Sequence, residues 1–225
     1  MGSMISFTAN GGTHNGYLAP AAAGKGPGVV VLQEWWGLVP HIEDVAERFA
    51  AAGFTALAPD LYNGRTANGP DEAGRLMQAL NIAETEKVLR GAIETLLAHD
   101  TCASPNVAVV GYCMGGQLAL LAGALNPKVA AVADYYGIHP AVTVDFSRLG
   151  APVLGIFAEN DEFVGREAVA GLQAALAAAG KQMTVHTYPG TDHAFFNDTR
   201  PDVYNAEAAR DAWDKTLAFF NQHLK

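Results

Sequence analysis

Cys113 has the setting that most clearly invites chemistry. It stands in Gly111-Tyr112-Cys113-Met114-Gly115-Gly116, directly after the run Val107-Ala108-Val109-Val110 and before the apolar stretch Gln117 to Leu125. A strand passing through Gly-x-Cys-x-Gly into a helix makes a nucleophile elbow, with cysteine where serine is usual. The turn crowds the backbone, and glycines on either side remove side chains that would collide there. The helix that follows points its first N–H groups at the site, favouring a thiolate or an oxyanion. A lone cysteine is more commonly a small buried hydrophobe, so the elbow needs partners to carry weight.

Those partners are an acid and then a histidine, both after later strands. Asp161 follows the strand-like Val153–Phe157, within Glu159-Asn160-Asp161-Glu162, and His193 follows Met183–Tyr188, within Pro189-Gly190-Thr191-Asp192-His193. The separations of 48 and 32 residues each leave room for about one βαβ crossover. Both loops then fall at the carboxyl edge of a parallel sheet, where open α/β folds place their sites. Asp192 and Glu159 remain alternative acids, and Asp161 could instead cap the helix near Arg166. A free thiol has a pKa of about 8.5, so a nearby imidazole must take its proton for it to act at neutral pH. His193 fits that role, with an acid holding its tautomer.

Gln33-Glu34-Trp35-Trp36-Gly37 follows another strand-like run, Val29–Leu32. In an α/β-hydrolase the residue after this strand donates the second oxyanion-hole N–H, which predicts Trp35 and Met114 as the pair. Such donors are worth about 2.7–4 kcal/mol of barrier. Glu34 is unexpected there, because a buried carboxylate needs a partner. It reads as a group near the thiol that controls its protonation; the bland alternative is a salt bridge or a solvent-facing side chain.

The elements around these loops alternate. A hairpin over Ile5–Ala9 and Gly16–Ala19 opens the chain, with a turn at Asn10-Gly11-Gly12. Helices are expected over 41–52, with Gly53 closing the first, and over 84–99, 117–125, 166–179 and 203–223. Strands are expected at Val29–Leu32, Phe54–Ala58, Val107–Val110, Val129–Ala133, Val153–Phe157 and Met183–Tyr188. Residues 63–71, with two Asn, two Gly and a Pro, read as loop. Such alternation means a mostly parallel sheet covered on both faces, with an N-terminal antiparallel hairpin. Met1-Gly2-Ser3 before Met4 reads as an expression remnant (1–3), leaving one domain over 4–225.

Composition excludes several classes. The chain has 225 residues, half of them hydrophobic and 16% charged. It can therefore bury a core, unlike a disordered chain. A net charge of −9 disfavours nucleic acid. No apolar run approaches the ~18 residues of a membrane span. Two cysteines make neither a disulfide framework nor a zinc cluster, and the expectation is a reduced, cytoplasmic protein with no metal. Gly111–Gly116 is not G-x-G-x-x-G, and Gly24-Lys25-Gly26 is not a P-loop.

The chain resembles the dienelactone hydrolase (carboxymethylenebutenolidase) family. The resemblance spans nearly all of Ile5 to Leu224 and rests on Gln33–Gly37, Ala58-Pro59-Asp60-Leu61-Tyr62, Gly111–Gly116, Tyr135-Tyr136-Gly137, Asp161 and His193-Ala194-Phe195. It implies a single-domain α/β-hydrolase with a Cys113–His193–Asp161 triad and Glu34 hydrogen-bonding the resting thiol until substrate displaces it. The implied reaction opens an unsaturated lactone through an acyl-cysteine, with an enolate leaving and no cofactor. Trp36 and Tyr136 match pocket positions. The chain departs from the family where members clamp the lactone's carboxylate with arginines. Four residues past the histidine it has Asn197, a neutral donor in place of a charged fork. Arg200 could reach the pocket from that loop; Arg65 and Arg75 are candidates for a second arginine.

The expected partner is therefore a small ester or lactone, and the family leans to a monomer. A general carboxylesterase or thioesterase is the alternative that Asn197 suggests. A redox switch using Cys113 is a third reading, but Cys102, its one candidate resolving thiol, precedes the Val107 strand and belongs near the opposite sheet edge.

Overall fold

The computed structural model describes residues 1–224. Eight strands form one sheet in the order β1-β2-β4-β3-β5-β6-β7-β8. The hairpin β1 (Ser3–Ala9) and β2 (Gly12–Ala19) is antiparallel, and β2 also runs antiparallel to β4 (Thr55–Pro59). The other strands are all parallel: β3 (Gly26–Leu32), β5 (Cys102–Tyr112), β6 (Val129–Tyr135), β7 (Val153–Ala158) and β8 (Met183–Tyr188).

The pleat divides each apolar strand between two cores. Val30 and Leu32 of β3 join Val107 and Val109 of β5 on one face, while Val29 and Val31 join Ala108 and Val110 on the other. Helices α2 (Pro70–Gln78), α3 (Ile82–Ala98) and α4 (Met114–Leu125) cover the first face. The second is covered by α1 (Pro40–Ala51) and α6 (Ala206–His223), with the Phe49 ring of α1 in contact with those of Trp213 and Phe220. Helix α5 (Arg166–Ala178) places Leu176 in the first core. Strands buried on both faces explain the unbroken β-branched runs, which carry no alternation.

The elements depart from the sequence reading mainly at their ends. Gly53 follows the α1 cap with φ +96°, as a C-terminal glycine should. Helix α2 lies where the end of a loop was expected, because Gly69 and Pro70, which read as breakers, act as N-cap and first helical residue. Helix α4 starts at Met114, three residues early, so it begins immediately after the cysteine. Helix α6 starts at Ala206, three residues late, where Asn205 accepts the Ala208 N–H at 3.0 Å. Ser3 pairs with Leu18, so β1 begins within the residues set aside as a remnant. Among the described residues no helix is long and apolar enough to cross a membrane.

Candidate active site

Parallel strands end on one edge, and the loops after β3, β5, β7 and β8 converge there. Cys113 sits in the turn between β5 and α4 with φ +54° and ψ −124°, a conformation that side-chain-bearing residues rarely adopt. The neighbours make the turn possible. A Cβ on Gly111 would lie 1.8 Å from the Gly115 carbonyl oxygen, and one on Gly115 would lie 2.5 Å from that of Gln33. The strained residue is held by its own backbone: its N–H donates to Tyr135 O at 3.0 Å, and its carbonyl accepts from Gly116 and Ile138.

Asp161 is buried in the loop after β7. One carboxylate oxygen accepts the N–H groups of Phe163 and Val164, both at 2.8 Å, and the other lies 2.7 Å from His193 Nδ1. Burial opposes its charge, but the bonds to His193 and these two N–H groups prevail and hold its carboxyl below the usual value. Asp192 lines the cavity and Glu159 bonds Gly190 N, so neither alternative acid takes the imidazole. For His193, burial disfavours the charged ring. Hydrogen bonds to Asp161 and to Cys113, and the charges of both, outweigh that and push it up to about 10. The ring thus has an acid on Nδ1 and lines the same cavity as Cys113.

These groups open on a cavity of about 340 Å³. Trp35, Trp36 and Phe163 form an aromatic wall, with Trp35 edge-on to both of the others and Phe163 edge-on to the His193 ring. Met77 of α2, Ile138 and Val203 add apolar surface from elements that the motifs did not flag. Glu162 and Asp192 stand at the cavity, and Arg200, its one arginine or lysine among the described residues, is paired with Asp202 at 2.7 Å. Of the four residues expected to bind substrate, Trp36 and Arg200 line the cavity. Tyr136 and Asn197 are buried and do not.

Glu34 also lines the cavity, and its partner differs from the one the resemblance implied. Its Oε2 accepts from Asn197 Nδ2 at 2.8 Å, and Oε1 is buried with no hydrogen-bond partner. The Trp35 N–H has no acceptor among the described residues, and Met114, as the first residue of α4, has an N–H with no intrahelical acceptor. Cys102 begins β5 and lies at the far sheet edge, on the order of 30 Å from Cys113 along the strand. No metal-holding group of His, Cys, Asp and Glu occurs among the described residues.

Comparison with known proteins finds similar chains over the whole length of this one. The description of the Dienelactone hydrolase family matches residues 15–224. The chain belongs to the dienelactone hydrolase family. Protein usf of Aquifex pyrophilus is 36% identical over 231 residues, covering the whole of both chains. Among solved structures, a dienelactone hydrolase-like promiscuous phosphotriesterase from metagenomic libraries superposes with a TM-score of 0.90 at 22% identity, over 100% of this chain and 99% of that one. Dienelactone hydrolase from Anabaena variabilis gives 0.74 at 19% identity, over 100% and 99%. At those identities the two structures speak for the fold, which is that of the α/β-hydrolases, and the family membership makes the chain a hydrolase.

Proposed function

We propose that the protein hydrolyses carboxylic esters, lactones included, through an acyl-cysteine on Cys113. The observation that supports this most is the hydrogen bond between Asp161 and His193 beside Cys113, with His193 and Cys113 both lining one apolar cavity. His193, whose raised proton affinity holds the proton drawn from Cys113, stands beside the sulfur as Sγ attacks the substrate carbonyl carbon. The carbonyl π pair moves to oxygen, where the N–H groups of Trp35 and Met114 receive it. The intermediate collapses, the C–O bond to the alcohol or enolate breaks, and His193 gives its proton to the leaving oxygen. Water then attacks the thioester with His193 as base, the C–S bond breaks, and the carboxylic acid leaves as the thiol regains its proton. Asp161 keeps Nδ1 protonated throughout. No cofactor enters this scheme.

The family's lactone, dienelactone, is one candidate substrate. Two observations favour the second reading, an uncharged small ester or thioester. Asn197 is occupied by Glu34 and Arg200 by Asp202, and apart from His193, which Asp161 holds, the rest of the charged lining is acidic. A substrate carboxylate would find no free cation among these lining residues. The redox switch is disfavoured by the position of Cys102. The test compares steady-state kcat/KM on dienelactone and on p-nitrophenyl acetate, with Arg200→Ala alongside. A preference for the neutral ester that survives Arg200→Ala supports the second reading. A dienelactone preference that Arg200→Ala removes restores the lactonase. Turnover of neither ester by the wild type overturns both.

A further inference from the structure

The cavity lining carries more negative charge than ester hydrolysis uses. Glu34, Glu162 and Asp192 all line it, and none of the three forms an ion pair among the described residues. The two basic side chains of the lining are each held by another carboxylate, His193 by Asp161 and Arg200 by Asp202, both at 2.7 Å. Glu34 is 1% exposed, and its Oε1 is buried with no hydrogen-bond partner. A buried acceptor of that kind in a cavity wall calls for a donor or a positive charge.

The aromatic wall makes an independent call for the same charge. The Trp35 and Trp36 ring centres lie 5.3 Å apart with planes at 68°, and those of Trp35 and Phe163 lie 6.4 Å apart at 63°. Successive rings turned by such angles form corners instead of a flat stack. The face of an aromatic ring is negative, and a corner of such rings is the shape that surrounds an ammonium group. Phe163 is 57% exposed, so its surface is open to a ligand. The chain's own cations leave these rings alone: the one cation–π contact among the described residues joins Arg48 to Phe196, which does not line the cavity.

The direction of the reaction says which half of a substrate meets these groups. His193 must reach the leaving oxygen, so the alcohol part of an ester lies on the histidine's side of the cavity. Phe163 is edge-on to the His193 ring with centres 5.1 Å apart, Glu162 is the residue before it, and Asp192 directly precedes the histidine. One aromatic ring and two unpaired carboxylates thus flank the leaving-group side.

We propose that the esters this site takes are those whose alcohol part bears an ammonium group, recognised by the aromatic wall together with Glu162 and Asp192. This rests on the ester-hydrolase reading and extends its second form from uncharged alcohols to cationic ones. The C–O bond breaks, His193 gives its proton to the leaving oxygen, and water supplies the hydroxyl of the acid. The products are a carboxylic acid and an amino alcohol. The ammonium group takes no part in the bond changes and contributes binding and orientation. Met77, Ile138 and Val203 offer apolar surface to the substituents on its nitrogen. A net charge of −9 also draws cations towards the protein.

The experiment compares acetylcholine with 3,3-dimethylbutyl acetate, which has carbon in place of the charged nitrogen, by pH-stat titration of the acid released. Choline and 3,3-dimethylbutan-1-ol are compared alongside as competitive inhibitors of p-nitrophenyl acetate hydrolysis. The cation is expected to be favoured about tenfold in kcat/KM and in Ki, although its neutral partner is the more apolar. Glu162→Gln/Asp192→Asn and, separately, Trp36→Leu are expected to lower both ratios by about threefold or more. Circular dichroism checks that each variant folds. A wild-type ratio at or below one in either comparison would overturn the proposal whatever the variants do, and so would ratios that neither variant lowers. Hydrolysis of none of the three esters would instead sink the ester-hydrolase reading.

Discussion

His193 Nδ1 lies 2.7 Å from Asp161 Oδ2, joining the loops that follow the two outermost parallel strands, β8 and β7. Asp161 is itself fixed by two backbone N–H groups, so the histidine inherits the rigidity of the β7 loop. A buried acid in that position sets which ring nitrogen carries the proton. Asp161→Asn can instead donate to Nδ1 and reverse the tautomer. The variant should fold, keep KM for p-nitrophenyl acetate near the wild-type value and lose about 10²–10⁴ in kcat. A kcat within threefold of wild type would remove Asp161 from the triad.

The sulfur and the imidazole should be separable by substitution. Cys113→Ala and His193→Ala are expected to abolish aryl acetate hydrolysis while leaving the circular dichroism spectrum unchanged. Cys113→Ser should retain only weak turnover, because a hydroxyl needs far stronger base assistance than a thiol. Full activity of the serine variant would show that the reaction does not require sulfur.

The elevated His193 value has a consequence for stability. The ring binds its proton more tightly in the folded chain, about 10 against an ordinary value near 6.5. Its contribution to stability is therefore complete below about pH 6.5 and declines as pH rises towards 10. Thermal melts of wild type and His193→Gln at pH 6.5 and pH 10 should show a larger loss of Tm in the wild type. Parallel losses would mean that folding does not shift the proton affinity of the ring.

The elbow makes a steric prediction. A methyl on Gly115 would meet the Gln33 and Leu32 carbonyl oxygens at 2.5 and 2.6 Å, whereas one on Gly150 would meet nothing within 4 Å. Gly115→Ala should destabilise by about 1–3 kcal/mol or more and impair turnover, because the backbone around Cys113 must shift. Gly150→Ala should be nearly neutral in a urea titration. Equal stabilities would contradict the close approach of α4 to the β3 loop.

The elbow, the acid and the histidine were legible in the sequence because each follows a strand whose apolar run is unbroken, and all such strands end at one edge. Residues 70–78 were not, because Gly69 and Pro70 signal a break and a helix start equally well. The Asn197–Glu34 contact spans 163 residues and joins two loops. No local pattern reports it, although an acid directly after a buried strand did signal an unmet need for a donor. The aromatic wall was half visible: Trp36 lies in a motif, but Phe163 reaches the His193 ring from a loop whose sequence looks like an ordinary surface turn. Asn197 was read as a pocket residue from the family resemblance, because it stands where members carry an arginine; the fold turns its amide into the wall instead.

The central claim is that Cys113 carries the acyl group. Its most direct measurement is rapid acid quenching of the enzyme during turnover of p-nitrophenyl acetate, followed by peptide mass spectrometry. One acetyl group on the Cys113 peptide, appearing before steady state and absent from Cys113→Ala, is the expected result. Turnover at the wild-type rate with that peptide unmodified, or with the acetyl group on another residue, would contradict the account.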